Sequence, residues 1–318
     1  MTHSITRAPD PEVPSHERVT MTSSAGIALA VDPQAGMVTT SLLFGGVEVL
    51  GRRGGLPKYL TDQTTFGVPL LAPWANRLAS ATQQVGAVNW SVQPGSPGVH
   101  PDAFGQPLHG LLGGIDAWQI EDSGADNDHA WIRSRLRFDE SLDRFPGFPF
   151  AHDLEVEVEL RGHTARYTTS LTATGNRSVP VAFGWHPYVA FPEIPREQWQ
   201  IDVPFIRHAT ANDASIPTGD VTDRPIESGD LGDRIYDDLF VDLPDNLVAR
   251  VSAGDRSVEF RFVRGYPFGV MWAPSHLDVV CIEPMTAPTD PFSGKWPVRV
   301  AEPGQTVDAV FELTVSRI

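Results

Sequence analysis

The chain of 318 residues has almost no cysteine, no long apolar run and a shortage of basic residues. Its single cysteine, Cys281, excludes an intramolecular disulfide and any metal site built from several cysteines. No stretch of about 18 apolar residues occurs, so the sequence predicts no transmembrane helix. The N-terminal segment lacks the apolar core of a secretory signal, and we therefore expect a cytoplasmic protein.

Basic residues are outnumbered, because 24 Lys and Arg stand against 40 Asp and Glu, for a formal charge of −16. Nucleic-acid binders need clustered Lys and Arg to displace counterions, so we expect no nucleic-acid partner. We expect no membrane partner either. A neutral or weakly charged small molecule fits this balance better, and both a monomer and a homodimer stay open.

Common catalytic motifs are also missing from the sequence. There is no G-x-S-x-G elbow, no P-loop and no dinucleotide-binding G-x-G-x-x-G. The histidines form no H-x-H or H-E-x-x-H set, and the spacing of His100, Asp102 and His109 is a weak signal for a metal. The sequence therefore predicts no metal site.

What the sequence does contain is strand patterning. In residues 152–162, HDLEVEVELRG, apolar and charged residues alternate, which gives one core face and one solvated face. Similar alternation occurs in residues 130–138, 165–175, 257–263 and 309–315. Gly, Pro, Asn and Asp separate these runs, and no long segment has a 3.6-residue period. The pattern predicts an all-β protein, a large antiparallel sandwich.

The first 20 residues are polar, contain Pro9, Pro11 and Pro14, and have little to bury. We therefore predict a disordered tail over residues 1–20. No linker or internal repeat divides the remainder, so the sequence predicts one β-sandwich catalytic domain over residues 21–318.

Four segments interrupt the strand patterning with polar groups set among aromatic residues. They are LAPWANRLA (71–79), PLHGLLGG (107–114), FGWHPYVAF (183–191) and CIEPMTAPTDPF (281–292). Aromatic faces beside hydroxyl-binding polar groups are what a sugar pocket requires.

His186 and Glu283 are the candidates for proton transfer. An imidazole titrates near neutral pH, and Pro187 restricts the backbone that carries His186. A core histidine with a hydrogen-bond partner is the alternative. Glu283 lies in a run typical of a buried strand, where burial would raise its pKa towards that of a general base. The alternative is a structural ion pair, for example with Arg77.

Arg77 and His109 are candidates for ligand binding. Arg77 follows Trp74 and Asn76, so it can hydrogen-bond a ligand oxygen beside an aromatic wall, or pair with one of the surplus carboxylates. His109 precedes Gly110, which allows close approach of a ligand but is equally typical of a turn.

Taken in order, these segments resemble the aldose 1-epimerase (galactose mutarotase) family. PWANR (73–77), HG (109–110), GWHPY (184–188) and EPMT (283–286) match the family's P-W-x-N-R, His-Gly, G-x-H-P-Y and E-P-x-T segments, and GFPF (147–150) matches a further element. The resemblance extends from about residue 25 to the end of the chain. It implies a β-supersandwich with few short helices and an isomerase that needs no metal or organic cofactor.

The resemblance also implies roles for individual residues. Glu283 would remove the proton from the anomeric O1 hydroxyl, and His186 would protonate the ring oxygen. The ring opens, C1–C2 rotates, and the hydroxyl re-adds from the other face. The substrate-binding residues implied are Arg77, His109, Asp237, Asn76 and Trp185, the last as part of an aromatic pocket wall.

The segment YDDLF (236–240) matches a family segment that carries a sugar-binding Asp. Asp237 takes that position, whereas Asp238 stands where the family often has His. The stretch between His186 and Glu283 is short for a galactose mutarotase, which is typical of divergent members and leaves the sugar undetermined.

Two alternatives remain at the sequence level. One is a hexose-6-phosphate mutarotase, in which Arg52, Arg53 and Lys58 would meet the phosphate. The other is a non-catalytic protein that binds or senses carbohydrate.

Overall fold

The computed structural model describes residues 2–318, and strands dominate it. In that range there is one α-helix, α1 (Gly55–Asp62), with four 3₁₀ turns at Pro33–Ala35, Phe145–Gly147, Arg196–Gln198 and Pro291–Ser293. No helix among these residues is long and apolar enough to cross a membrane. The strands are β1 (Ser4–Pro9), β2 (Glu17–Thr22), β3 (Ile27–Asp32), β4 (Val38–Phe44), β5 (Val47–Glu48), β6 (Leu70–Leu71), β7 (Thr82–Val85), β8 (Val88–Ser91), β9 (His100–Pro101), β10 (Pro107–Leu108), β11 (Gln119–Ala125), β12 (Ala130–Phe138), β13 (His152–Arg161), β14 (Thr164–Ala173), β15 (Val179–Pro180), β16 (Gly184–Trp185), β17 (Tyr188–Val189), β18 (Gln200–Asp202), β19 (Arg207–Ala211), β20 (Pro217–Asp223), β21 (Gly229–Asp230), β22 (Tyr236–Phe240), β23 (Leu247–Ala253), β24 (Arg256–Arg264), β25 (Phe268–Ala273), β26 (Val280–Met285), β27 (Val300–Ala301) and β28 (Thr306–Arg317).

Three sheets hold most of these strands, and their neighbours pair antiparallel. A nine-stranded sheet has the order β11-β12-β13-β14-β28-β24-β23-β18-β21. An eight-stranded sheet has the order β20-β19-β22-β25-β26-β16-β6, with β17 also paired to β26. The third sheet runs β1 to β5 in sequence order, and β7–β8, β9–β10 and β15–β27 form two-stranded pairs. The all-β prediction is confirmed.

The nine-stranded sheet shows why the alternating segments fold as they do. Along β13 and β14 every second residue is buried, as the period of two predicts. The other face carries charged side chains in cross-strand pairs, for example Arg166 with Glu312 on β28. The solvent-exposed face of this sheet is therefore where many charged residues of the alternating segments lie.

The second large sheet packs against the dry face of the first. Tyr167 from β14 and Phe311 from β28 stack with ring centroids 4.6 Å apart, and the ring of Trp185 from β16 lies 5.1 Å from that of Tyr167. Trp185 Nε1 donates to Thr169 Oγ1 at 3.0 Å, which satisfies its polar atom inside the core. The aromatic contacts fix the eight-stranded sheet in place and leave its other face free to form a site.

The N-terminal residues differ from the predicted disordered tail. Ser4–Pro9 pairs with Glu17–Thr22 over six registered positions, and β2 in turn pairs with β3. Val19 and Met21 are buried, and Arg7 donates to Ser123 of β11. The prolines do not prevent this pairing, because Pro9 ends β1 and Pro11 and Pro14 lie in the connection, where no ladder hydrogen bond is lost.

The loop that carries residue 109 is held by a very close backbone contact. The amides of Leu111 and Leu112 both donate to the carbonyl of Ala72, and Gly110 lies directly over that carbonyl with φ of 75°. A Cβ added at Gly110 would lie 2.1 Å from the oxygen of Ala72. Only glycine fits there.

We expect Gly110→Ala to lower the free energy of unfolding by about 3 kcal/mol or more, because it adds a backbone clash to the left-handed conformation. Gly105→Ala is the matched control: Gly105 also has a positive φ, 78°, but a Cβ there meets nothing within 4 Å. That variant should cost about 1 kcal/mol. Urea unfolding of both variants measures the difference, and equal losses would contradict the close-contact argument.

Candidate active site

A cleft of about 210 Å³ opens on the face of the eight-stranded sheet that points away from the nine-stranded sheet. The volume lies below the roughly 300–1,000 Å³ of sites for drug-sized ligands, so the cleft fits a smaller molecule. The lining residues are Arg53, Gln63, Thr64, Thr65, Asn76, Arg77, His100, Leu108, His109, His186, Tyr188, Asp237, Trp272 and Glu283.

Strand register brings the floor of the cleft together. Tyr188 on β17 is opposite Cys281 on β26, which is opposite Trp272 on β25, which is opposite Asp237 on β22. Residues in such a cross-strand row share one face. Glu283 lies two residues beyond Cys281 on β26 and so projects from that same face.

His186 and Glu283 form a buried pair at this floor. His186 Nε2 lies 3.3 Å from Glu283 Oε1, and their side chains are 5% and 2% exposed. The second carboxyl oxygen, Oε2, is buried and has no hydrogen-bond partner among residues 2–318. An unpartnered oxygen beside an open cleft is suited to accept a hydrogen from a ligand.

Burial dominates the acid–base properties of both groups. It raises the pKa of Glu283 well above its ordinary value; the charge of Asp237 raises it further, and that of Arg77 opposes the shift. Burial also lowers the pKa of His186 well below its ordinary value, with smaller effects from His109 and Arg53. Burial therefore favours the uncharged form of each group.

Tyr188 packs directly on the imidazole. The rings of His186 and Tyr188 are parallel within 4° with centroids 4.4 Å apart, and the phenol oxygen lies 3.3 Å from His186 Nε2. That oxygen also lies 2.6 Å from Thr65 Oγ1 and accepts from Arg53 Nη1 at 3.3 Å. Trp272 closes the side of the cleft, edge-on to both rings.

Arg77 lies at the opposite wall, between carboxylates. Its Nε donates to Asp102 Oδ2 at 2.9 Å, its Nη1 to Asn76 Oδ1 at 3.0 Å, and its Nη2 is 3.7 Å from Asp237 Oδ2. Arg77 is thus paired as one sequence alternative proposed, yet it still lines the cleft. The suggested structural ion pair between Glu283 and Arg77 does not form, and the carboxyl group of Glu283 instead lies 3.3 Å from the imidazole of His186.

His109 is held by its backbone. Its amide donates to the carbonyl of Asn76 at 2.8 Å, and both residues have left-handed backbones, with φ of 60° and 58°. Two non-glycine residues in this conformation, joined by a hydrogen bond, mark the segment as a candidate functional site. Burial, followed by the charge of Arg77, lowers the pKa of His109 to about 3, so its imidazole is neutral at physiological pH.

The cleft gathers six of the seven site residues expected from the sequence: Glu283, His186, Arg77, His109, Asp237 and Asn76. The expectation that Trp185 forms a pocket wall is wrong. Successive residues of a strand point to opposite faces, so placing His186 in the cleft turns Trp185 into the core, where it is fully buried. Trp272 and Tyr188 supply the aromatic walls instead.

Sequence reasoning missed several cleft residues. Tyr188 could have been found, because it lies two residues after His186 and so shares its face. Trp272 lies in no motif and reaches the cleft only through the pairing of β25 with β26. The sequence indicates Arg53 only as a residue that would bind the phosphate of a hexose 6-phosphate.

Asp238 lies outside the cleft. Its carboxylate is 2.9 Å from His208 Nε2 and 2.6 Å from Arg224 Nη2. In the part of the chain that the structure describes, no group of three or more His, Cys, Asp or Glu residues could hold a metal ion.

Comparisons with known proteins agree with this architecture. A family model described as aldose 1-epimerase matches residues 30–314. No curated protein matches the chain at the sequence level.

Solved structures show the same fold at low sequence identity. A galactose mutarotase-like protein from Clostridium acetobutylicum superposes with a TM-score of 0.85 at 17% identity, covering 99% of this chain and 98% of that one. Galactose 1-epimerase from Lactobacillus acidophilus NCFM gives 0.76 at 13% identity, covering 100% of this chain and 99% of that one. At these identities the similarity establishes the fold alone.

The buried imidazole of His109 predicts a pH dependence of stability. Between its native pKa of about 3 and the ordinary value of 6.5, the unfolded chain binds a proton that the native chain does not. The effect of His109 on the free energy of unfolding follows from this difference in proton binding. The native protein has its full stability above pH 6.5 and loses stability as pH falls towards 3.

We measure by urea unfolding the free energy of unfolding of His109→Gln relative to that of the unaltered protein. We expect this difference to favour the variant by about 1 kcal/mol more at pH 5.5 than at pH 7.5. His276→Gln, at an exposed position, is the matched control. A relative stability of His109→Gln that does not change with pH would contradict a neutral buried His109.

Proposed function

We propose that this chain, which belongs to the aldose 1-epimerase family, is an isomerase that interconverts the α and β anomers of an aldohexose. The observation that carries the proposal is the buried pair of His186 and Glu283, 3.3 Å apart at the floor of a small cleft. A polar cleft with aromatic walls and an acid/base pair fits a reaction that consists of proton transfers.

A carboxyl group beside an imidazole suits that reaction. Ring opening requires one group to accept the O1 proton while another donates to the ring oxygen, and ring closure reverses both transfers. Glu283 is the proposed base and His186 the proposed acid, which requires His186 to be protonated and Glu283 to be ionised when the sugar reacts. The charge of Arg77 lowers the pKa of Glu283 and so favours that form, against the effect of burial.

The remaining polar groups are proposed to hold the sugar. Arg77 is fixed by Asp102 and Asn76, so it can donate to a hydroxyl or ring oxygen with little loss of side-chain entropy. Asp237, whose side chain is 39% exposed, can accept from two hydroxyls. His109 stays neutral and can therefore hydrogen-bond a hydroxyl without placing a charge in the cleft. Trp272 offers an apolar face to the sugar C–H groups.

Two of the three cations considered for a phosphate are engaged elsewhere. Arg52 donates to Glu12, and Lys58 is paired with Asp62; neither lines the cleft. Arg77 is balanced by two carboxylates. The resulting cleft suits a neutral aldohexose, taken up as a free small molecule without a metal or organic cofactor.

One observation favours a hexose-6-phosphate mutarotase as a second candidate. Arg53 lines the cleft, and among residues 2–318 no carboxylate pairs with it; its observed acceptors are the carbonyl of Thr65 and the phenol of Tyr188. An arginine with donors to spare at the cleft is what a phosphate would require.

We expect Glu283→Gln to retain sugar binding and to lower the rate of anomerisation by about 10²–10⁴-fold, because the amide keeps the shape but removes the base. Anomeric-proton exchange NMR gives the rate, and calorimetric titration gives the binding. Glu157→Gln, on the solvated face of β13, is the matched control. Unchanged anomerisation in Glu283→Gln would exclude this mechanism. A wild type that binds sugar without accelerating exchange would instead favour a binding or sensing protein.

The same NMR experiment, run with glucose, galactose, other neutral aldoses and glucose 6-phosphate, separates the two candidate substrates. We expect acceleration for a neutral aldose that Arg53→Gln weakens through the lost contact with Tyr188 but does not abolish; Arg52→Gln is the matched control. Acceleration only with the phosphate, abolished in Arg53→Gln and kept in Arg52→Gln, would select the second candidate.

A further inference from the structure

The hydroxyl of Tyr188 lies at the centre of a small hydrogen-bond chain beside the proposed acid. Its three neighbours are His186 Nε2 at 3.3 Å, Thr65 Oγ1 at 2.6 Å and Arg53 Nη1 at 3.3 Å. The proposed roles of Glu283 and His186 do not account for these contacts, which all lie at or below the surface of the cleft.

Donor counting favours one direction for the hydrogen-bond chain, provided that Glu283 Oε1, which also lies 3.3 Å from His186 Nε2, is not the donor to that nitrogen. Arg53 can only donate, so the phenol oxygen accepts from it. The hydroxyl of Thr65 has no other partner among residues 2–318, so within the protein its hydrogen can be donated only to the phenol. The single hydrogen of Tyr188 is then directed to Nε2 of a neutral imidazole that carries its own hydrogen on Nδ1, a buried atom without a partner among residues 2–318.

The same chain can reverse when the imidazole gains a proton. A protonated Nε2 no longer accepts, and the phenol hydrogen must find another acceptor. Thr65 Oγ1, at 2.6 Å, is that acceptor, and the Thr65 hydrogen can then turn towards the cleft that this residue lines.

We propose that Tyr188 is a positioning residue whose hydroxyl donates to Nε2 of neutral His186 and turns to Thr65 when Nε2 is protonated. The catalytic role of Tyr188 rests on the function proposed above, because its hydroxyl would hold the imidazole in one orientation through both halves of the reaction. The backbone supports this rigidity, because the amides of His186 and Tyr188 donate to the carbonyls of Pro69 and Gly67.

Other ionisable groups also face this region and set the background for a titration. They are Glu283 on β26, His109 after β10 and Arg53 before α1, all facing His186, with Cys281 on β26 facing Tyr188. None of them is altered by Tyr188→Phe or Thr65→Val, so these two substitutions isolate the chain.

The test uses the ligand-free protein with ¹⁵N-labelled histidine, so that it is independent of any sugar. At pH 7.5 the imidazole nitrogens of His186, assigned by loss of signal in His186→Gln, should show the hydrogen on Nδ1, because Nε2 is an acceptor. A hydrogen on Nε2 would overturn the proposal.

At pH 5.5 the protonated fraction of His186 should rise about threefold or more in Tyr188→Phe, which keeps the stacked ring but no longer stabilises the neutral imidazole. In Thr65→Val it should not rise, since the phenol still donates to Nε2 and has lost its alternative acceptor. Tyr59→Phe, a buried tyrosine outside the cleft, is the matched control. No rise in Tyr188→Phe, or equal rises in both variants, would overturn the proposal.

Anomeric-proton exchange then relates the hydrogen-bond chain to activity. We expect the acid limb of the kcat/KM profile to move to higher pH in Tyr188→Phe and not in Thr65→Val, with little change in KM. If the wild type accelerates no sugar, the proposed function fails, whereas the imidazole measurements still decide the role of Tyr188.

Discussion

The site depends on one constraint, which is that an ionisable carboxyl group is kept inside a sheet. Glu283 lies on β26, every residue of which is buried, and it is held there by an imidazole rather than by a full opposite charge. Burying a lone carboxylate is costly, and the adjacent imidazole gives the carboxyl group a polar partner. The aromatic core beneath β16 excludes water from one side of the pair. The cleft is open on the other side, where Asp102 holds Arg77 at the far wall.

Strain and close contacts gather around the same cleft. Arg53, Asn76 and His109 all have left-handed backbones, and Gly110 lies against the carbonyl of Ala72 with no space for a side chain. Such conformations persist only where the surrounding structure determines them, and they are common at functional sites. The loops thereby position their side chains as firmly as the strands position Glu283 and Asp237.

Much of the fold could be predicted from the sequence, because apolar and polar residues alternate in several segments. Such alternation indicates a strand with one buried face, and it occurs in β12, β13, β14, β24 and β28. The site motifs located Glu283 and His186 because polar groups are rare in buried runs. Trp185 was assigned to the wrong face, and Trp272 was missed, because facing depends on strand register, which sequence spacing alone does not give. The strand at Ser4–Pro9 was missed since its side chains are mostly exposed and only its pairing with β2 orders it.

The position of Cys281 gives the molecule an internal reporter. It is the only thiol in the chain, it is fully buried on the strand that carries Glu283, and it lies opposite both Tyr188 and Trp272. Burial also raises the pKa of the thiol, which keeps it unreactive in the native state. An alkylating reagent can reach this sulfur only when the structure around it opens, so the rate of alkylation measures local opening at the centre of the cleft.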